Sequence, residues 1–477
     1  MNFRMIKYFL GWILVFETMF LLIPLVTAVI YGEQCFFAIL LSMAVCLAAG
    51  GLLIWKKPKN TELYSREGFV IVSMSWIVLS LFGCLPFVFS GAIPSFTDAL
   101  FETVSGFTTT GASILAEVER LPKAMLIWRS FTHWVGGMGV LVFIMAFIPL
   151  SGGQNIHIMK AESPGPSVSK LVPRVKTTAL ILYSIYFVLT LIEFVLLLFG
   201  DMSVFDALNT ALSTAGTGGF GIKNDSIASY SPYIQIVVTV FMIMFGINFS
   251  SYYFILTGRI KEAFNKEIRV YFGIIFFAIA IITFNLRDFY DTFGDTFRNV
   301  SFTVASIIST TGYSTVDFDL WPQLSKTIIV LLMLTGSCAG STSGGIKITR
   351  IIILFKGLAK ELEVMIHPKQ LKKITMDSKP IEHEVVRSVN SYLVCYVLLF
   401  MASAAVISID GHDLITNFTA VSAAINNVGP GLEAVGPSRN FGFFSTPSKL
   451  VLIFDMLAGR LELFPMLLLF SKATWKK

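Results

Sequence analysis

Charge is scarce in this chain. Only 14% of its 477 residues are Asp, Glu, Lys or Arg, and 55% are hydrophobic. A soluble domain carries about a quarter of its residues as charges to clothe its core, so a soluble globule is a poor fit. Cysteine is sparse too: Cys35, Cys46, Cys84, Cys338 and Cys395 lie in or beside apolar stretches and form no CxxC pair. They read as small buried hydrophobes and exclude a disulfide frame. His133, His157, His367, His383 and His412 are scattered, with no HxxxH or HExxH spacing, so no zinc centre is expected. The glycine runs lack the strand-then-helix flanks of a phosphate-binding loop. No nucleotide is expected on this chain, nor nucleic acid as a partner, and no enzymatic constellation is present. After Arg4 and Lys7 comes an apolar run longer than that of a secretory signal, without a small-residue cleavage site. That argues for an uncleaved first helix.

What the chain has instead is long apolar runs, at 8–29, 36–55, 69–89, 179–199, 234–249, 270–284 and 393–409. These approach the ~20 residues that cross a bilayer, so an all-α integral membrane protein embedded in lipid is expected. Its loops alternate in sign. One face collects Arg4, Lys7, Lys56, Lys57, Lys59, Arg66, Lys160, Lys170, Arg174, Lys176, Arg259, Lys261, Lys266, Arg269, a cluster over 347–387 and the tail Lys472, Lys476 and Lys477. The intervening loops carry Asp98, Glu102, Glu117, Glu119, Asp201, Asp206, Asp225, Asp288, Asp291, Asp295, Asp317, Asp319, Asp410, Asp413 and Glu433. The positive-inside rule puts the basic face and both termini in the cytoplasm, which requires an even number of crossings; ten are expected. The acidic outer loops either simply satisfy topology or also concentrate cations at a pore mouth.

Those outer loops repeat. Residues 96–113 read FTDALFETVSGFTTTGAS and 204–221 read VFDALNTALSTAGTGGFG. With Gly111 on Gly219, Asp98-Ala99-Leu100 falls on Asp206-Ala207-Leu208 and Ser105 on Ser213 without a gap. A third copy covers 297–314 and a degenerate fourth covers 414–431. Each has a helix too short to cross, then a polar, glycine-containing strand. Irregular backbone at membrane depth survives only inside protein or beside water, which favours four re-entrant segments about one axis over four external polar loops. The expected plan is two leading helices (1–66), then four membrane helix–pore helix–filter strand–membrane helix units at 67–176, 177–269, 270–386 and 387–477.

The four strands are Thr108-Thr109-Thr110-Gly111, Gly216-Thr217-Gly218-Gly219, Ser309-Thr310-Thr311-Gly312 and Asn426-Asn427-Val428-Gly429. Glycine permits carbonyls to turn toward an axis, and threonine hydroxyls add acceptors. Stacked oxygen rings replace a cation's water as in a potassium filter. Potassium is the expected ion, held at Thr109, Thr110, Thr217, Gly218, Thr310, Thr311, Asn427 and Val428. With one aligned glycine per strand and no full TVGYG, the filter should be short and its selectivity over sodium looser.

With these strands, WRSFTHWVGGMGV (128–140), GSCAGSTSGGIKITR (336–350) and AINNVGPG (424–431), the chain resembles the membrane subunit of Trk-type potassium-uptake systems, within the Trk/Ktr/HKT superfamily. The likeness covers essentially the whole chain, and the two leading helices favour the Trk branch. It implies a homodimer in the bacterial inner membrane, one pore per protomer, worked by a cytoplasmic ring of nucleotide-binding subunits. Ser343 stands where another glycine is expected and should slightly stiffen its segment. In the superfamily, serine for the first filter glycine accompanies sodium transport; Gly111 argues against that here.

The run Gly336, Ser337, Cys338, Ala339, Gly340, Ser341, Thr342, Ser343, Gly344 and Gly345 interrupts an apolar span. Glycine weakens a helix by ~1 kcal/mol per residue. The run is expected to be an intramembrane gate under the filter; close helix packing through small residues is the other reading. Arg460 lies mid-span, where charge is expensive. It either pairs with Glu462 or, as the resemblance implies, faces the pore below the filter. Arg129 is expected to anchor the membrane interface, and Glu193 has no assigned role. A potassium–proton or sodium-coupled symporter is the alternative function, although no carboxylate lies in the four strands.

Overall fold

A computed structural model describes residues 1–58, 63–139, 175–368, 373–377 and 379–475. Lys59, Lys160, Lys170, Arg174, Lys476 and Lys477 of the basic face lie outside these residues, as do Lys369 and Lys372 of its 347–387 cluster and the later part of the first unit.

The first leading span, Phe3–Tyr31, pauses at Leu21 between the helices Phe3–Phe20 and Leu22–Tyr31. Pro24 has no N–H to offer the carbonyl four residues back, which loosens the ladder there. The second, Phe36–Ile54, packs against it through Gly11 and Gly50. A Cβ on either glycine would sit 2.9 Å from the other's carbonyl oxygen, so the backbones touch as small residues allow.

Four units follow. Each opens with a long apolar helix: Ser65–Phe89, Thr177–Leu198, Lys266–Asn285 and His383–Asp410. Each then has a pore helix: Phe96–Phe107, Val204–Ala215, Phe293–Ile308 and Leu414–Ile425. The pore helices start alike. The side chains of Ser95, Ser203, Thr292 and Asp413 accept from the backbone amides of Asp98, Asp206, Asp295 and Thr416. These caps satisfy amides that the first turn leaves free, and Asp98, Asp206 and Asp295 complement the helix dipole there.

The helix after each filter strand is short or broken. Pro232–Phe245 bends by 91° into Phe249–Leu256. Gln323–Thr335 resumes only at Ile348–Ile366. Thr446–Arg460 resumes at Phe464–Phe470 across Glu462 and Leu463, both at positive φ. The first unit's helix, Lys123–Gly137, ends in two glycines. Among the described residues, six helices are long and apolar enough to cross a bilayer alone, and the bent pair makes seven. The expected ten crossings are reached only by counting the other three post-filter helices, which have 13 to 15 residues. Sequence reading found the break after Thr335 and missed the others.

Candidate functional site

The four pore helices end where the four strands begin. Thr108, Gly216, Ser309 and Asn426 are their C-caps. From there the strands share one backbone pattern. The caps have φ of −75°, −67°, −77° and −95°. Thr109, Thr217, Thr310 and Asn427 have φ of 56°, 52°, 57° and 53°, and Gly111, Gly219, Gly312 and Gly429 have 80°, 75°, 83° and 97°. Positive φ at a non-glycine residue is strained, so four matched occurrences mark one motif.

The amide bonds match as well. The N–H groups of Thr110, Gly218, Thr311 and Val428 donate to the carbonyls of Ser105, Ser213, Ser306 and Ala423 at 2.9, 2.9, 2.8 and 2.9 Å. The strands therefore tie their donors back to their own pore helices. The glycines close a ring. A Cβ on Gly111 would lie 2.0 Å from the carbonyl oxygen of Gly218, one on Gly219 1.9 Å from that of Thr311, one on Gly312 2.3 Å from that of Val428, and one on Gly429 2.7 Å from that of Thr110. Each glycine leans on the third residue of the next strand, in the order first, second, third, fourth, first. The repeat alignment made from sequence, degenerate fourth copy included, is the register seen here.

The third position differs in the second strand, where Gly218 stands for Thr, Thr or Val. His133 explains it: a Cβ on Gly218 would meet the imidazole ring at 2.3 Å. His133 is buried, sits 3.2 Å from Ser213 Oγ through Nδ1 and stacks on Phe220 at 4.2 Å. It supports the second strand from behind. Sequence reading left His133 among scattered histidines; the lone glycine at the third position was the available signal.

Two acidic and basic positions are not where sequence placed them. Glu102, grouped with the outer loop acids, is buried, and so is Arg129, expected at the membrane interface. Arg129 Nε and a terminal guanidinium nitrogen lie 2.8 and 2.7 Å from Glu102 Oε1. Glu102 also accepts from Ser113 Oγ and the Ile114 amide, while Arg129 donates to the carbonyl of Gly221. The pair ties the exits of the first and second strands together. Among the described residues, Thr109 Oγ1 and Asn427 Oδ1, both buried, have no hydrogen-bond partner.

Beneath that inner end lies the small-residue run, neither helical nor loose. The amide of Gly344 donates to Thr310 Oγ1 at 2.7 Å, and a Cβ on Gly344 would lie 2.2 Å from the carbonyl oxygen of Asn426. The breaks in neighbouring helices leave carbonyls unpaired, and the loop uses them. Phe245 accepts from Thr342 Oγ1 at 3.3 Å and Gly246 from the Cys338 amide at 3.2 Å. Gly340 in turn accepts from the Phe249 amide. Ser343 joins Ser337 and Ser341 in a hydroxyl cluster, so it braces the loop as its place in a glycine run suggested.

Arg460 donates to the carbonyl of Thr342 at 2.6 Å, and to those of Gly136 and Gly137 at 2.5 and 2.6 Å. The expected alternative partner, Glu462, pairs with Arg350. Arg460 thus links the loop to the freed end of the first unit's helix. Lys347, counted from sequence with the cytoplasmic cluster, is buried and donates to the Ser343 carbonyl. It lines the same cavity as Arg460 and Glu462. Among the described residues, no group of His, Cys, Asp and Glu could hold a metal ion.

The profile of the TrkH family, described as cation transport protein, matches residues 36–477. The chain is 35% identical over 485 residues to the Trk system potassium uptake protein TrkH of Escherichia coli K12, covering all of both chains. It is 32% identical over 482 residues to TrkG of the same strain, covering 99% of each. The crystal structure of the potassium transporter TrkH from Vibrio parahaemolyticus superposes with a TM-score of 0.90 at 31% identity, over 100% of both chains. The chain is an integral membrane protein that belongs to the TrkH cation transport family.

Proposed function

We propose that this chain takes up potassium by conducting it through the four-strand ring, with the loop at 336–345 and Arg460 as the gate. The observation that carries the reading is the shared alternation of φ, with each glycine packed on the next strand's carbonyl. That arrangement commits the amides to the pore helices and leaves stacked oxygens to replace an ion's water. The C-terminal ends of four pore helices add partial negative charge where the ion would sit. The sites are those at Thr109, Thr110, Thr217, Gly218, Thr310, Thr311, Asn427 and Val428. Similarity to proteins named as potassium uptake components of a Trk system supports potassium as the cargo. The naming of these relatives as parts of a Trk system supports other subunits as partners; a cytoplasmic, nucleotide-binding regulatory partner, a homodimeric assembly and a bacterial inner-membrane setting with both termini inside are part of the same proposal, on the resemblance of the motifs.

Gly111→Ser, Gly219→Ser, Gly312→Ser and Gly429→Ser test the reading. Each puts a side chain at positive φ, a strain of roughly 1–2 kcal/mol, and drives its Cβ against a carbonyl of the ring. Potassium over sodium selectivity, read from reversal potentials and from growth of a potassium-uptake-deficient strain, should fall in each. Unchanged selectivity in all four would sink the carbonyl-ring reading.

A further inference from the structure

We infer that Glu267 is the latch that holds the loop at 336–345 shut, an inference that rests on the gate reading above. Glu267 lies in the first turn of Lys266–Asn285, a helix with no residue in the lining of the cavity at the strands' exits. It is 3% exposed, and a buried carboxylate must find donors. Among the described residues its donors lie in the loop and in the arm that returns from it. The Ala339 amide, inside the loop, donates to Glu267 Oε1 at 2.7 Å. The hydroxyl of Thr349, in the first turn of the returning helix, donates to the same oxygen. One carboxylate thereby bridges the loop and its returning arm.

The neck between the loop's two arms is already closed by backbone. The amides of Lys347 and Ile348 donate to the carbonyls of Thr335 and Ser337, each at 3.1 Å. Gly336 and Gly345 touch so closely that a Cβ on Gly345 would lie 2.6 Å from the Gly336 Cα. Withdrawing the loop from Thr310 and Asn426 requires its arms to shift, and Glu267 is the side chain that fastens the loop and its returning arm to a third helix. The same helical turn is held from its far side: the Lys266 amide donates to Asp377 Oδ1 at 2.9 Å, and Arg269 lies 3.8 Å from that oxygen. Asp377 follows the short strand Thr375–Met376, whose Thr375 carbonyl accepts from Lys356 on the returning helix. The latch therefore sits between the gate and the strand pair Thr375–Met376 with Lys379–Pro380.

The test is potassium flux by the purified full chain in liposomes without any partner. Glu267→Ala should raise flux several-fold and keep the potassium over sodium ratio. Thr349→Val should raise it less. Glu267→Gln should fall between Glu267→Ala and the parent, because its amide oxygen still accepts from Ala339. With the other four cysteines replaced by serine, Cys338 should react faster with a thiol reagent once Glu267 is alanine. Flux and Cys338 reactivity at or below the parent level in Glu267→Ala, or in Thr349→Val and Glu267→Gln if the alanine variant does not fold, would overturn the latch. A protein lacking residues 337–344 separates the two readings. If it conducts faster while the Glu267 variants do not, the latch alone fails; if it does not conduct faster, the gate reading fails and the latch with it.

Discussion

At the scale of single residues, buried charge does two jobs around this pore. Arg460 donates to the carbonyls of Thr342, Gly136 and Gly137. That places a positive charge beneath the strands, while Glu462, the expected alternative partner, is held by Arg350. At about 6 Å and an effective dielectric of about 20, such a charge opposes a monovalent cation by roughly 3 kcal/mol. Water in the cavity lowers that figure, so Arg460→Ala should raise potassium flux several-fold to about a hundredfold. Flux measured without partner, beside an unchanged potassium over sodium ratio, checks this; a collapse of flux in folded protein would make Arg460 structural. Glu102 and Arg129 instead hold the outer mouth. Removing one member of a buried pair typically costs about 3–5 kcal/mol. Arg129→Ala should lower thermal stability more than the double change Glu102→Gln with Arg129→Gln, in which no bare carboxylate remains. Melting temperatures of the two variants in detergent decide it.

Elements show why the run at 336–345 is a loop and not a kinked helix. Each post-filter helix stops near the level of the strands' inner end, and each stop frees carbonyls. Those at Phe245, Gly246, Gly136 and Gly137 are taken by Thr342, Cys338 and Arg460. The loop is thus bonded directly to the break after Phe245 and, through Arg460, to the end of the first unit's helix. Shortening it by deletion of residues 337–344 should remove the plug and raise potassium flux without altering selectivity, because the strands keep their ties to the pore helices. Reversal potentials under mixed potassium and sodium would expose any loss of selectivity. A fall in flux with intact folding would instead support close packing as the role of these small residues.

For the whole molecule, the two faces differ in charge, and orientation is the testable consequence. Glu117, in the first loop expected outside, and Lys57, in the first loop expected inside, are both exposed. A cysteine at Glu117 should react with an impermeant maleimide added to intact cells, and one at Lys57 only after permeabilisation. Labelling of Lys57 from outside would invert the topology.

Much of this architecture was legible beforehand because it is written in composition and spacing. Apolar runs near bilayer length and a helix-then-glycine pattern repeated four times carry the spans and the four-unit ring, while alternating loop charge carries an expected sidedness. The register of the strands followed from Gly111, Gly219, Gly312 and Gly429, since only glycine fits both the positive φ and the neighbouring carbonyl. What the sequence could not determine is which distant groups meet. Glu102 with Arg129, His133 behind Gly218, Lys347 beneath the filter and Glu267 across the loop and its returning arm are all contacts between elements far apart in the chain or turned inward by packing. A charge counted along the sequence has no depth. Only the tertiary structure decides whether it faces water or is buried against a partner, and in a membrane the high cost of an unpaired charge makes that decision functional.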